Sequence, residues 1–389
     1  MKNIIAFSIV VLMLFHASCV GKKCEIENLT DRKCLDSTLL YKADSLKTIA
    51  IGSDITANPL SSQFYDNNGI TEYILLDENK LYFFNYETGM LSRQMKISTS
   101  EDTGCGILNN YSGFFYHTAD SIFVYNYRLK RVFLIDSTSN INNKWNILRK
   151  DLAKYPVDPE SLTSSPILFV NNHLILSGTE HGQPADATFD NKPISCIINL
   201  ATNEVTYGGG YPQQYRDCNF GGVYFNEIFH TVNNDKNVIL YSFQADHYVY
   251  QYNDNVSDGK MIYAGSRYIK KIESSNLSFL ELYKNKDKRI EYYVSQPSYM
   301  NILYDKYRKL YYRIASTPLY NWNVEKRTFQ KPFSIIVLNT AGEILSETPI
   351  FENYELLNLH NMHVTHEGII IQKNNKDENN IYFELYKIK

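Results

Sequence analysis

Thr71–Ile97 reads TEYILLDENKLYFFNYETGMLSRQMKI, three short strands separated by turn residues. Tyr73–Leu76 is a short apolar strand. Lys80–Tyr86 is an aromatic one, of the β-branched and aromatic type that suits a pleated surface. Glu87-Thr88-Gly89 is a turn, with glycine free to take positive φ, and Met90–Ile97 then alternates apolar with polar residues. Together with Ser62–Tyr65 in front, the stretch is a four-stranded antiparallel unit.

Working outward, the unit recurs to the C-terminus, and such a repeat takes precedence over any single motif. The second copy is Gly106–Asn109, Phe114–His117, Ile122–Tyr127 and Arg131–Asp136, with Arg128-Leu129-Lys130 as its third turn. The third is Pro166–Val170, His173–Ser177, Ile194–Leu200 and Glu204–Tyr207. The fourth is Phe225–Val232, Asn237–Phe243, Tyr248–Tyr252 and Lys260–Ala264. The fifth is Met300–Asp305, Lys309–Ala315, Phe333–Asn339 and Ile344–Ile350. The sixth offers three strands only: Met362–His366, Ile369–Gln372 and Ile381–Tyr386.

An orphan strand, Thr48–Ile51, precedes the first copy. If the copies are blades around an axis, this strand completes the sixth blade and removes the edges that an open sheet would expose. The expectation is an all-β, six-bladed propeller of four-stranded blades over residues 48–389, closed by its N-terminal strand. These 342 residues give 57 per blade, above the roughly 40–45 of a compact blade. The surplus falls in Thr138–Ser165, Gly178–Pro193, Gly208–Gly222, Ser266–Tyr299 and Ser316–Lys331. All five are second-to-third turns or links between blades, which share one face of a propeller. That face is expected to bind a ligand.

Residues 1–18 carry Lys2, the apolar run Ile4–Phe15 and the small pair Ala17-Ser18, the pattern of a secretory signal. Cys19 then stands where a bacterial lipobox places the acylated cysteine, although His16 departs from the usual leucine. Acylation would hold the protein on a membrane, since each buried CH₂ contributes ~0.8 kcal/mol. Residues 19–47 are polar and lack the repeat, which suits a tether. The cysteines after Cys19 are Cys24, Cys34, Cys105, Cys196 and Cys218, an odd number that cannot all pair. Cys24 and Cys34 flank a short loop and are candidates for a bridge; no spacing suits zinc.

A net charge of −3 argues against nucleic acid as partner. No nucleophile elbow, zinc-protease motif or phosphate-cradling loop occurs, and no cofactor is expected. His360, His363 and His366 are three apart on a predicted strand, so at most His360 and His366 could share a side; lining of the channel suits them better than a metal. Arg216, Asp246, His247 and Arg313 should cluster at the elaborated end of the axis, where an Arg between carboxylates could clamp an anionic ligand or form an ion pair between blades. Trp145 and Trp322 are placed in long loops of the same face, to stack on a sugar or peptide or to cap those loops.

The exported start, six Tyr-rich blades and the run Ile302–Ile314, ILYDKYRKLYYRI, resemble an uncharacterised family of Bacteroidales lipoproteins with a TolB-like six-bladed β-propeller. The resemblance implies fold and envelope location, and no chemistry. Val20-Gly21-Lys22-Lys23 lacks the acidic signal that favours surface export in those bacteria, which implies a periplasm-facing outer-membrane anchor. The expected function is binding of an envelope protein, a peptide or a glycan by a non-enzymatic monomer. The alternative is a polysaccharide lyase or hydrolase working in the central pocket.

Overall fold

The computed structural model describes residues 23–28, 38–67, 69–147, 157–178, 192–257, 259–320, 322 and 330–389. Blade 1 consists of β3 (Ser61–Asn67), β4 (Ile70–Asp77), β5 (Lys80–Asn85) and β6 (Leu91–Lys96), paired antiparallel in chain order. Tyr73 and Leu75 pack with Tyr82 and Phe84 against Ile370, Ile381 and Phe383 of the last blade. Ile74 and Leu76, with Leu81 and Phe83, pack the other way onto Phe114, Ile122 and Val124 of the next. Successive side chains point to opposite faces of a strand, so a strand apolar at every position is one with a neighbouring sheet on each side. The outer strand β6 has a neighbour on one side only and is largely exposed.

Blade 2 is β7 (Gly113–Thr118), β8 (Ser121–Asn126), β9 (Arg131–Ile135) and β10 (Ile141–Asn146). This corrects the expected division by one strand. Gly106–Asn109 is not a strand but part of the link from blade 1, and Arg128–Lys130 is the second-to-third turn. The remaining blades follow the expected division. Blade 3 is β11 (Leu168–Val170), β12 (His173–Ser177), β13 (Ser195–Asn199) and β14 (Val205–Gly208), and blade 4 is β15 (Ile228–Asn233), β16 (Val238–Phe243), β17 (Tyr248–Tyr252) and β18 (Lys260–Tyr263). Blade 5 is β20 (Ser298–Asp305), β21 (Leu310–Ser316), β22 (Phe333–Asn339) and β23 (Ile344–Ile350).

The sixth blade closes the ring as expected. Its strands β24 (Leu357–Val364), β25 (Ile369–Lys373) and β26 (Asn380–Ile388) are completed by β2 (Leu40–Ala50), which pairs antiparallel with β26 from Leu40↔Ile388 to Ala50↔Asn380. The closing strand is therefore longer than Thr48–Ile51, and eight residues read as tether belong to it.

Part of the remaining tether is also built into the fold. β1 (Glu25–Glu27) pairs with β19 (Lys271–Glu273) in the link between blades 4 and 5. Cys24 is bonded to Cys218 in the link between blades 3 and 4, not to Cys34, which lies outside the described residues. Among the described residues the α-helices lie in the same links: α1 (Gln213–Asp217), α2 (Phe279–Lys284), held by a Ser278–Glu281 capping box, and α3 (Lys286–Ser295).

Candidate functional site

In each blade the second-to-third turn and the link to the next blade lie on one face, here called the link face. The link from blade 2 to blade 3 does not stay at its rim. Residues 157–165 cross the end of the axis and touch four blades. Tyr125 Oη donates to Pro159 O at 2.9 Å, Ser161 N to Tyr111 O at 3.1 Å, Glu160 N to Ser177 O at 3.2 Å, and Thr163 N to Leu60 O at 2.8 Å. Ser62 N donates to Thr163 Oγ1 at 2.9 Å, and Ser164 Oγ lies 3.4 Å from His360 Nδ1. The approach is so close that a Cβ on Gly113 would stand 2.1 Å from Ser161 O, so that position tolerates no side chain.

Beside this crossing segment lies a cavity of about 170 Å³. Leu162, Ile228, Phe229 and Tyr111 form apolar walls, and Glu160, Glu227, Ser164, Ser165, Ser177 and His360 supply the polar groups. The described lining residues include no Lys or Arg. The protein around the cavity disfavours a charged His360 and lowers its pKa although the residue is open to solvent, and the nearby Glu160 carboxylate opposes that shift. Glu227 Oε2 accepts from Gln244 Nε2 at 3.2 Å.

Arg313, Asp246 and His247 come together around the second-to-third turn of blade 4, where the donors of Arg313 are taken up within the protein. Arg313 on β21 is 0 % exposed. Its Nε donates to Ser242 Oγ at 2.9 Å. Nη1 donates to His247 O and Ala264 O at 3.2 and 3.1 Å, and Nη2 to Phe243 O and Asp246 O at 3.3 and 2.8 Å. A guanidinium has five N–H donors, and all five are engaged. The ring of Tyr299 covers its face at 3.8 Å. Burial pulls the guanidinium pKa down to about 10, and the group remains charged at pH 7.

The Asp246 carboxylate is pushed up by burial, while the Tyr248 N–H and the Tyr250 hydroxyl bond to it at 3.0 and 2.7 Å. His247 Nε2 must donate to the Ile26 carbonyl at 3.2 Å, so Nδ1 accepts from Tyr299 Oη at 2.7 Å. These three residues fix the second-to-third turn of blade 4 and clamp the N-terminal strap over it.

Trp145 lies on the outer strand β10 rather than in a loop. It is 5 % exposed, and its Nε1 donates to Asn203 Oδ1 at 3.0 Å in blade 3. Arg216, in α1, and Trp322 are each half-buried on link-face segments. Cys19 lies outside the described residues. The three histidines do not converge. His360 faces the axial cavity and His363 is buried between blades 6 and 1, with Nε2 3.0 Å from Ser62 Oγ. His366 is exposed near Glu87, 3.5 Å away. Among the described residues no group of three His, Cys, Asp or Glu could hold a metal ion.

Glu160, Glu227 and Tyr111 escaped sequence reasoning, since each lies in a link with no local motif. The one signal for Tyr111 and Glu227 was position just ahead of the first, innermost strand of a blade; Glu160 carried none.

The profile of a domain of unknown function, DUF4221, matches residues 36–349. A crystal structure of a DUF4221 member from Bacteroides vulgatus superposes with a TM-score of 0.71 at 20% identity, covering 90% of this chain and 98% of that one. A Bacteroides fragilis protein provisionally described as exported gives 0.53 at 12% identity, with 90% and 96% covered. Both show the propeller fold. No functionally curated protein matches the sequence. The chain belongs to the DUF4221 family, whose function is unknown.

Proposed function

We propose that this protein is an exported lipoprotein, held through Cys19 on the periplasmic side of the outer membrane, whose link face receives a peptide or protein partner. A basic side chain or terminal amine of that partner enters the axial cavity. One observation carries the reading: the cavity groups the acidic side chains Glu160 and Glu227 with the hydroxyls of Ser164, Ser165 and Ser177 between apolar walls suited to a methylene stem. The arginine that could have drawn an anion instead has every donor engaged within the protein. The Cys24–Cys218 disulfide suits an oxidising compartment. Arg216 and Trp322 belong to the rim of the same face.

A photo-crosslinking amino acid at Tyr111, introduced in living cells, tests this. A discrete protein adduct is expected there and not at Thr88 on the opposite face, and Glu160→Gln with Glu227→Gln should abolish it. Equal adducts at both positions, or an adduct indifferent to the two substitutions, would count against the reading. The second reading, a polysaccharide lyase or hydrolase, draws on the same pair of glutamates as acid and base. The crossing segment 157–165 leaves little room for a polymer. Release of oligosaccharides by the wild type and not by Glu160→Gln would favour it.

A further inference from the structure

The N-terminal strap fixes more than the fold. Lys23–Asn28 lies on the link between blades 4 and 5. The Cys24–Cys218 bond, the pairing of β1 with β19, and Asn28 Nδ2 donating to Ser266 O and Ile269 O at 2.8 and 2.9 Å all hold it there. Lys23 reaches Glu273 at 2.9 Å and lines one groove with Lys288, Glu291 and Tyr292 of α3. Only four residues lie between Cys19 and Cys24, and the five fully extended steps from one to the other span at most ~17 Å. Acyl chains on Cys19 would therefore be leashed to this edge of the link face, not carried on a long tether.

The surface at that edge has the composition of a membrane contact. Leu280 and Tyr283 of α2 are 45 % and 48 % exposed, and Tyr320, in a segment joined to α3 by Leu319 N donating to Val294 O at 2.8 Å, is 88 % exposed. Between Leu280 and Arg289 stand four cations, Lys284, Lys286, Lys288 and Arg289, against two acids, Glu281 and Asp287. The three lysines are exposed, while the Glu281 carboxylate is engaged with Ser278 in the capping box. Exposed aromatic and aliphatic side chains beside a lysine cluster suit the interface of a bilayer bearing anionic lipid.

We infer that α2, α3 and the Tyr320 segment form a membrane-docking surface for anionic lipid headgroups, and that the disulfide-locked strap holds this edge of the link face against the bilayer in which Cys19 is anchored. The inference rests on the lipoprotein reading above. It places the axial cavity beside the membrane, open to partners that are themselves membrane-bound.

The test uses the full-length protein in vesicles of phosphatidylethanolamine with phosphatidylglycerol. Cys105 and Cys196 are buried, so in a Cys34→Ser background a fluorophore can be placed at Tyr283→Cys or, on the opposite face, at Met90→Cys. A lipid bearing a headgroup quencher should quench the Tyr283 label strongly and the Met90 label little. Reversal of Lys284, Lys286 and Lys288 to Glu should relieve that quenching. It should also weaken binding of unanchored Cys19→Ser protein to phosphatidylglycerol vesicles at least tenfold.

Mass spectrometry of the N-terminal peptide separates the two claims. An unacylated Cys19 overturns both the lipoprotein reading and this one. Acylated protein with the two labels quenched alike, or with quenching indifferent to the charge reversal, overturns the docking surface alone.

Discussion

Replacing Arg313 by Met separates a structural arginine from a ligand clamp. Methionine roughly fills the volume but withdraws five donors. Ser242 Oγ and the carbonyls of Phe243, Asp246, His247 and Ala264 are then left short of partners where no water reaches. Removing one side of a buried charged network costs ~3–5 kcal/mol, a large share of the ~5–15 kcal/mol that holds a domain folded. Lysine restores the charge but brings three donors for five acceptors and none of the planar geometry, so Arg313→Lys should recover only part of the loss. Denaturant unfolding followed by tryptophan fluorescence reads both. The strap should loosen as well, because the turn that Arg313 holds also carries the His247 bond to Ile26. An Arg313→Met protein as stable as wild type, yet unable to form the Tyr111 adduct, would show that the arginine serves a ligand instead.

Replacing Cys24 and Cys218 by Ser should cost ~2–5 kcal/mol, as expected for opening a long loop, and expose the strap to proteases. Peptide mapping without reduction should find Cys24 joined to Cys218, and a Cys24–Cys34 peptide would refute the pairing. Burial holds His230 and His363 neutral, their pKa values lowered to about 4 and about 3. The unfolded chain takes up these protons first, so stability present above pH 6.5 should fall as pH drops towards 4, by ~1.4 kcal/mol per pH unit for each group. His363→Gln should flatten that slope in urea titrations between pH 7 and 4.5, and an unchanged slope would contradict the assignment. Deleting residues through Ile51 should bare the edge of β26 and drive aggregation, whereas deleting through Ser37 should cost the strap and its disulfide but leave a closed, monomeric ring by size-exclusion chromatography.

What the sequence made legible follows burial. Strands of blade 1 stand out because both faces pack on neighbouring blades, so Tyr73 to Leu76 is apolar at every position. The outer strand of blade 2, INNKWN, faces solvent on one side and pairs through a register shift between Ile141 and Asn143, which leaves it too polar to recognise. Its loss displaced the reading of that blade by one strand and put Trp145 in a loop. Arg313 carried a hint in LYYRIA, where a lone charge in an apolar run has to be buried with partners. Those partners are carbonyls, which a sequence does not display.

The Cys24–Cys218 bond joins residues 194 apart in the chain, and no spacing rule selects it over its alternatives. The axial cavity was illegible for a related reason. Glu160, Glu227, Tyr111 and His360 belong to separate links and blades, and only closure of the ring brings them to one place.

Whether the axial cavity accepts a basic group can be read from selection of a random peptide library against the purified protein. Peptides with a Lys, an Arg or a free terminal amine should be enriched, with binding that weakens at least tenfold in Glu160→Gln/Glu227→Gln and persists in Thr88→Ala. Enrichment of acidic peptides, or of basic ones that bind the double variant equally well, would contradict that expectation.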